Sequence, residues 1–131
     1  MKKILAALLM AGMLGLTGGA ALADPVEGVW QTEPDDGAYA HIKMAPCGPA
    51  ICGTIIRTFT ASGETKSPNI GKQIVREMTP SGPNKYAGKV WRPSNDKIYI
   101  GKLDLNGASL KLSGCVAGGL ICSKQTWTRV N

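Results

Sequence analysis

The sequence predicts an all-β fold, an antiparallel up-and-down barrel of eight strands. Three observations lead to this prediction. Short apolar or alternating runs recur between turn-forming residues, the links between the runs are short, and helical periodicity is weak after residue 23. An open sheet of this kind would have two exposed edges, and closing it into a barrel removes both. A two-sheet β-sandwich is the alternative that the same pattern allows.

The first half of the chain supplies four candidate strands. The turn Glu33–Gly37 ends the first strand, and the second alternates, with Ala40, Ile42 and Met44 on one face. The longest loop, Ala61–Asn69, follows the third strand, and the basic residues of the fourth would also suit a short helix. The predicted strands are Val26–Thr32, Ala38–Ala45, Cys52–Thr60 and Ile70–Met78.

The second half supplies four more strands, again separated by turn residues. Proline-containing breaks at Thr79–Asn84 and Pro93–Asp96 bound the fifth strand, and Asn106-Gly107 between two alternating runs is a strong hairpin signal. The predicted strands are Tyr86–Arg92, Lys97–Leu105, Ala108–Cys115 and Cys122–Val130. The last strand needs a neighbour, and the segment Val26–Trp30 is the best candidate, which would close the barrel.

The N-terminus has the pattern of a secretory signal peptide. Lys2 and Lys3 precede an apolar run that ends at Ala21-Leu22-Ala23. A membrane anchor is the alternative, but the run is short and broken by glycines. Cleavage after Ala23 would leave a single domain, residues 24–131, lower the net charge from +6 to +4, and place the protein in the periplasm or outside the cell.

Several classes of function lack support in the sequence. The mild positive charge comes without a basic or aromatic nucleic-acid module. No nucleophile elbow, phosphate loop or metal-binding histidine cluster is present, so we expect neither an enzyme nor a cofactor or metal. His41 is the single histidine and is predicted on the solvent face with Tyr39 and Lys43. Asp35 and Asp36 could orient it, but their turn setting explains them as well.

The four cysteines fall in two pairs, each flanking a predicted hairpin loop. An even count behind a signal peptide indicates disulfides in an oxidising compartment. Hairpin geometry favours Cys47–Cys52 and Cys115–Cys122, because facing ends of a hairpin reach the short separation that a disulfide needs. Each would stabilise the fold by roughly 2–2.5 kcal/mol, whereas a long-range pairing would give roughly 4–5 kcal/mol.

The chain resembles the bacterial exported family filed as domain of unknown function 2147. The residues that carry the resemblance are Gly28-Val-Trp30, Pro46-Cys-Gly-Pro-Ala-Ile-Cys-Gly53, Trp91-Arg-Pro93, Tyr99–Leu105, Leu110–Cys115 and Gln125-Thr-Trp-Thr-Arg129. The resemblance implies a small lipocalin-like barrel and no established activity. In such barrels an arginine near the last strand packs on a Gly-x-Trp tryptophan of the first. Gly28, Trp30 and Arg129 match these positions, which implies a structural plug of the barrel end.

Two functional hypotheses follow. The first is a module that binds a small apolar or anionic ligand, with the ligand entering away from the plug. The interior positions expected to line or fill the barrel are Ile42, Met44, Ile55 or Ile56, Leu110 and Leu112. The second is a structural protein with a filled barrel whose Ala61–Asn69 loop meets an envelope protein. We expect a monomer without a transmembrane span.

A basic set crosses the fifth and sixth predicted strands. It consists of Lys85, Lys89, Arg92, Lys97 and Lys102. It could attract an anionic ligand or surface, or it could be a solvated face that aids solubility.

Overall fold

The computed structural model describes residues 23–131. Residues 1–22 of the predicted signal peptide therefore lie outside the described residues. Within the described range the chain forms nine strands and one short 3₁₀ turn, Ala117–Gly119. The strands are β1 (Gly28–Gln31), β2 (Ala38–Cys47), β3 (Ala50–Thr60), β4 (Gly63–Thr65), β5 (Gln73–Gly82), β6 (Lys85–Arg92), β7 (Lys97–Asn106), β8 (Ser109–Val116) and β9 (Ile121–Arg129).

Eight of these strands close into an antiparallel barrel. The order around it is β1, β2, β3, β5, β6, β7, β8, β9 and back to β1. Closure occurs where the two ends of the domain meet, with Arg129 opposite Trp30 and Thr128 opposite Gln31. The prediction of an up-and-down barrel is confirmed, and the sandwich alternative is not needed.

The segment 61–69 differs from the single loop that the sequence predicted. Gly63–Thr65 forms β4, which turns back on the end of β3 and pairs Thr58 with Thr65. The reversal is tight because Gly63 adopts a positive φ of 105°. The same hairpin carries an ion pair between Arg57 and Glu64 at 2.6 Å. The longest predicted loop is therefore partly a strand at the rim of the barrel.

Every second side chain along the strands points into the barrel and forms its interior. Large apolar side chains such as Ile42, Met44 and Leu110 point inward and are fully buried. Gly53 leaves room for them, because a Cβ there would lie 2.6 Å from the Met44 Sδ and 2.8 Å from the Ile42 Cγ2. The core is therefore densely filled over one half of the barrel length.

The two ends of the barrel are built from different segments. The end that carries the chain termini also carries the Asn106-Gly107 turn, and we call it the closed end. The opposite end carries the β1–β2 connection and the β8–β9 turn, and we call it the open end. No helix within residues 23–131 is long and apolar enough to cross a membrane.

One disulfide lies at each end. Cys47–Cys52 joins the β2–β3 hairpin at the closed end with a Cα separation of 5.8 Å. Cys115–Cys122 joins the β8–β9 hairpin at the open end with a Cα separation of 4.1 Å. Both bonds are the local hairpin pairings that the spacing favoured over long-range ones.

Candidate functional site

The closed end is sealed by a tryptophan under an arginine. Trp30 is fully buried, and its indole N–H donates to the Val26 carbonyl at 2.9 Å. The Arg129 guanidinium lies 4.3 Å from the centroid of the Trp30 ring. It also donates to the carbonyls of Glu27 at 3.0 Å and Pro25 at 2.6 Å. The arginine thus joins the last strand to the segment before the first.

Gly28 allows the two chain ends to approach. Its φ is 128°, and a Cβ would lie 2.5 Å from the Asn131 backbone oxygen and 2.7 Å from the Arg129 Nη1. Both the conformation and the lack of space therefore require glycine. Beside it the Val29 N–H donates to the Asn131 carbonyl at 2.9 Å, which ties down the C-terminus.

A buried tyrosine completes the closed end. The Tyr86 hydroxyl donates to the Asp24 carboxylate, which fixes the start of the described chain against β6. Burial, reinforced by the hydrogen bond to Asp24, raises the pKa of Tyr86 well above its ordinary value. The phenol therefore stays protonated and keeps donating at any physiological pH.

The open end contains a cavity of about 630 Å³. Small residues line it, among them Ala38, Ala40, Gly114 and Ser123. Ala38, Ala40 and Gly114 belong to β2 and β8, whose closed-end halves carry Ile42, Met44 and Leu110. The space exists because side-chain volume falls along the strands toward the open end.

The cavity has apolar walls and a polar rim. Large apolar residues of the wall include Ile55, Ile74, Val90, Trp91, Leu112 and Trp127. The charged residues of the rim are Glu33, Asp35, Lys66, Arg92 and Lys124. The volume and this mixture are typical of pockets that bind small molecules.

Charge-assisted hydrogen bonds organise the rim. Arg92 makes a bidentate contact with Asp35, with both N–O distances 2.8 Å, and the Ser94 hydroxyl adds a third bond at 3.0 Å. The Arg92 hydrogen bonds lower the pKa of the Asp35 carboxyl, and Asp35 in turn raises the pKa of Arg92. The pair holds the β1–β2 connection against the end of β6.

A second network fixes the opposite part of the rim. The Trp127 indole N–H donates to the Gln125 side-chain oxygen at 2.5 Å, and the same oxygen accepts from the Glu33 backbone N–H at 3.3 Å. The Glu33 carboxylate accepts from the Thr126 backbone N–H at 2.5 Å. Trp127 is thereby held in the cavity wall with its polar atom satisfied.

The interior positions expected from the sequence fall in three places. Leu112 lines the cavity, whereas Ile42, Met44 and Leu110 lie in the filled core below it. Of the two alternatives Ile55 and Ile56, Ile55 takes the interior position and Ile56 does not, because Ile56 is 36% exposed on the outer face. Ile55 lies two residues after the inward Gly53 and so faces inward, and the irregularity opposite His41 and Ile42 makes Ile56 the extra residue and turns Thr58 toward the cavity.

His41 lies outside the cavity, on the outward face that its alternation predicted. It is buried there, because its ring packs 4.7 Å from the Phe59 ring and bonds the Gln31 side chain at 3.1 Å. Burial, assisted by the positive charge of Arg57, lowers the pKa of His41. Asp35 bonds Arg92 rather than orienting the histidine. Within residues 23–131 no group of His, Cys, Asp or Glu could hold a metal ion.

Three members of the predicted basic set are paired. Lys85 bonds Asp104 at 2.9 Å, Lys89 lies 3.6 Å from Glu77, and Arg92 bonds Asp35. Lys97 and Lys102 make no ion pair within the described residues. The pairing therefore neutralises the members of the set on β6, and the unpaired charge of the set lies on β7.

Sequence reasoning missed most of the cavity wall. Ile74, Val90 and Trp127 line it but were not singled out. Alternation alone could have found Trp127, since it lies two residues from Arg129 and so on the same face of β9. Ile74 could not be found this way, because the register of β5 against β3 shifts beside it.

Comparison with known proteins agrees with this architecture. A protein of Helicobacter pylori, HP1028, described as belonging to the lipocalin family, has a similar fold with a TM-score of 0.63. The two share 14% sequence identity, and the match covers 81% of this chain and 83% of the other. No curated protein matches the sequence. Residues 28–129 match a bacterial family, and the chain therefore belongs to the family described as "Uncharacterized protein conserved in bacteria (DUF2147)", with a lipocalin-like barrel.

Proposed function

We propose that the protein binds a small apolar or amphipathic molecule in the open-end cavity. The observation that carries the proposal is the asymmetry of the barrel. A plug and a filled core close one end, and a cavity of about 630 Å³ opens at the other. An apolar wall beneath a charged rim suits a ligand whose apolar part enters first and whose polar part stays near the mouth.

The rim charges favour a ligand that is neutral or anionic at its polar end. Asp35 is paired with Arg92, and Glu33 accepts the Thr126 N–H, so both carboxylates already have partners. Lys66 and Lys124 make no ion pair within residues 23–131. The proposal is binding without a catalytic step, in a periplasmic or secreted protein. The two disulfides and the predicted signal peptide support that location.

The first test is native mass spectrometry of the protein purified from its own compartment, looking for a retained small molecule. The second is titration with a fluorescent apolar probe, read by quenching of tryptophan emission, since Trp91 and Trp127 line the cavity. The proposal fails if no molecule is retained and the probe does not bind.

A cavity-filling substitution makes the test specific. Gly114 lines the cavity, and a Cβ there would meet the Tyr99 ring at an ordinary 3.5–3.6 Å. Gly114→Leu should therefore fold and fill the space, weakening probe binding by at least about tenfold, or 1.4 kcal/mol. Lys111→Leu adds the same side chain on the outward face of β8 and should leave binding unchanged. Equal binding by both variants would contradict a site inside the barrel.

A further inference from the structure

We propose that the β8–β9 turn docks on an anionic lipid bilayer. This turn, which we call the tip, comprises Val116–Ile121 and projects at the open end of the barrel. The inference goes beyond ligand binding, because it concerns an outer surface that contributes no residue to the cavity wall.

The tip exposes large apolar side chains. Leu120 is 87% exposed, Ile121 is 64% exposed and Val116 is 47% exposed. Val116 and Ile121 face each other across the hairpin, so their exposed surfaces adjoin. Contiguous exposed apolar surface of this kind is characteristic of a site that meets a partner or a membrane.

A second exposed apolar surface lies on the outer face of β7, near the base of the tip. Ile98 is 57% exposed and Ile100 is 41% exposed. Ile100 pairs with Cys115, which pairs with Cys122, so isoleucine and disulfide share one face. Cys115 and Val116 are consecutive on β8, so Ile100 and Val116 lie on opposite faces of the sheet, and the outer face of β7 adds separate exposed apolar surface near the base of the tip.

Unpaired positive charge lies beside the tip. The Lys102 Nζ lies 3.5 Å from where a Cβ on Gly119 would be, so this lysine reaches the tip. Lys97 begins β7 at the same end of the barrel and, like Lys102, makes no ion pair within the described residues. The chain from Leu105 to Asn131 contains no acidic residue. Apolar side chains with lysines beside them suit docking on an anionic bilayer, where the lysines meet the headgroups.

The shape of the tip favours lipid over a protein partner. A stable protein interface usually buries roughly 800 Å² on each side and involves about 20–30 residues. The tip is a six-residue turn on one hairpin, which suits shallow insertion into a headgroup layer. The disulfide Cys115–Cys122 closes its base, so little conformational freedom is lost on docking. Docked in this way, the cavity mouth at the same end would lie close to the bilayer.

The test is co-sedimentation with vesicles of phosphatidylcholine alone and of phosphatidylcholine mixed with phosphatidylglycerol. The wild-type protein should bind the anionic vesicles, and added salt should weaken binding. Leu120→Ser with Ile121→Ser should reduce binding at least about tenfold, because two aliphatic side chains no longer leave water. Lys97→Gln with Lys102→Gln should reduce it about tenfold through lost attraction to the surface.

A matched control replaces exposed aliphatic residues elsewhere. Ile56 lies on the outer face of β3 and Val130 at the closed end, and both are partly exposed. Ile56→Ser with Val130→Ser should leave vesicle binding unchanged. Equal loss in this control and in the tip variant would overturn the proposal, as would equal binding of the wild type to neutral and anionic vesicles.

Two further measurements separate this proposal from ligand binding. The tip variant should still bind the dissolved fluorescent probe, since none of its substituted residues lines the cavity. Vesicle binding by the Gly114→Leu variant should likewise be unchanged. A wild-type protein that is oligomeric by light scattering and becomes monomeric in the tip variant would overturn docking on lipid and identify a protein interface instead.

Discussion

The same strands form both ends of the barrel, but one end is filled and the other contains a cavity. At the closed end Arg129 covers Trp30, Gly28 lets the chain ends meet, and large aliphatic side chains fill the interior. At the open end small side chains such as Ala40 and Gly114 leave a cavity, and polar networks hold the rim. The difference teaches that the contacts that close the barrel are concentrated where the termini meet, which leaves the other end free for the proposed ligand.

The largest expected effect on stability comes from disrupting the closed end. Arg129→Met removes the cation–π contact and two hydrogen bonds to carbonyls, and should lower the free energy of unfolding by about 2–4 kcal/mol. Urea denaturation followed by tryptophan fluorescence measures it. Arg57→Met is the matched control, because Arg57 also lies over an aromatic ring, 5.3 Å from the Phe59 centroid, but on the solvent face.

The control should lose much less stability than Arg129→Met, since an exposed charged pair contributes little. Comparable losses in the two variants would show that the plug is no more important than a surface contact. That outcome would remove the energetic contrast between the two ends.

A smaller loss of stability is expected when either disulfide is removed. Replacing either pair by serine should lower the free energy of unfolding by about 2–2.5 kcal/mol, because the closed loops are similar in length. The consequences for local motion should differ. Loss of Cys115–Cys122 should speed amide hydrogen exchange in Val116–Ile121, whereas loss of Cys47–Cys52 should leave that turn unchanged. Faster exchange there in both variants would mean that the ends are not independent.

The smallest expected effect is the pH dependence of stability that comes from the Asp35–Arg92 pair at the rim. Arg92 lowers the pKa of Asp35, so the pair stabilises the fold fully above the ordinary aspartate pKa of about 4. Its contribution is lost as pH falls from there through the lowered pKa of the folded state. Asp35→Asn should therefore lower stability slightly at pH 7 and abolish this part of the acid dependence. Carbon-detected NMR titration of Asp35 gives its pKa directly, and an unshifted value would contradict the pairing.

Much of the fold could be predicted from the sequence because its signals are local. Alternation and turn residues predicted eight barrel strands, and the strand that ends the chain required a neighbour, which β1 provides. Cysteines at facing hairpin ends indicated both disulfides. The relation between Trp30 and Arg129 came from resemblance to lipocalin-like barrels, not from spacing.

What the sequence determined by itself is therefore the all-β class and the hairpins, which depend on neighbours in the chain, and the closure, which follows because the strands at the two ends of the sheet need partners. Only the tertiary structure decided which half is hollow. That depends on how strands distant in sequence are registered, and one irregularity opposite His41 is enough to turn Thr58, rather than Arg57, toward the cavity. Strand register depends on contacts across the whole sheet. For this reason the cavity at the open end could not be predicted from each strand separately.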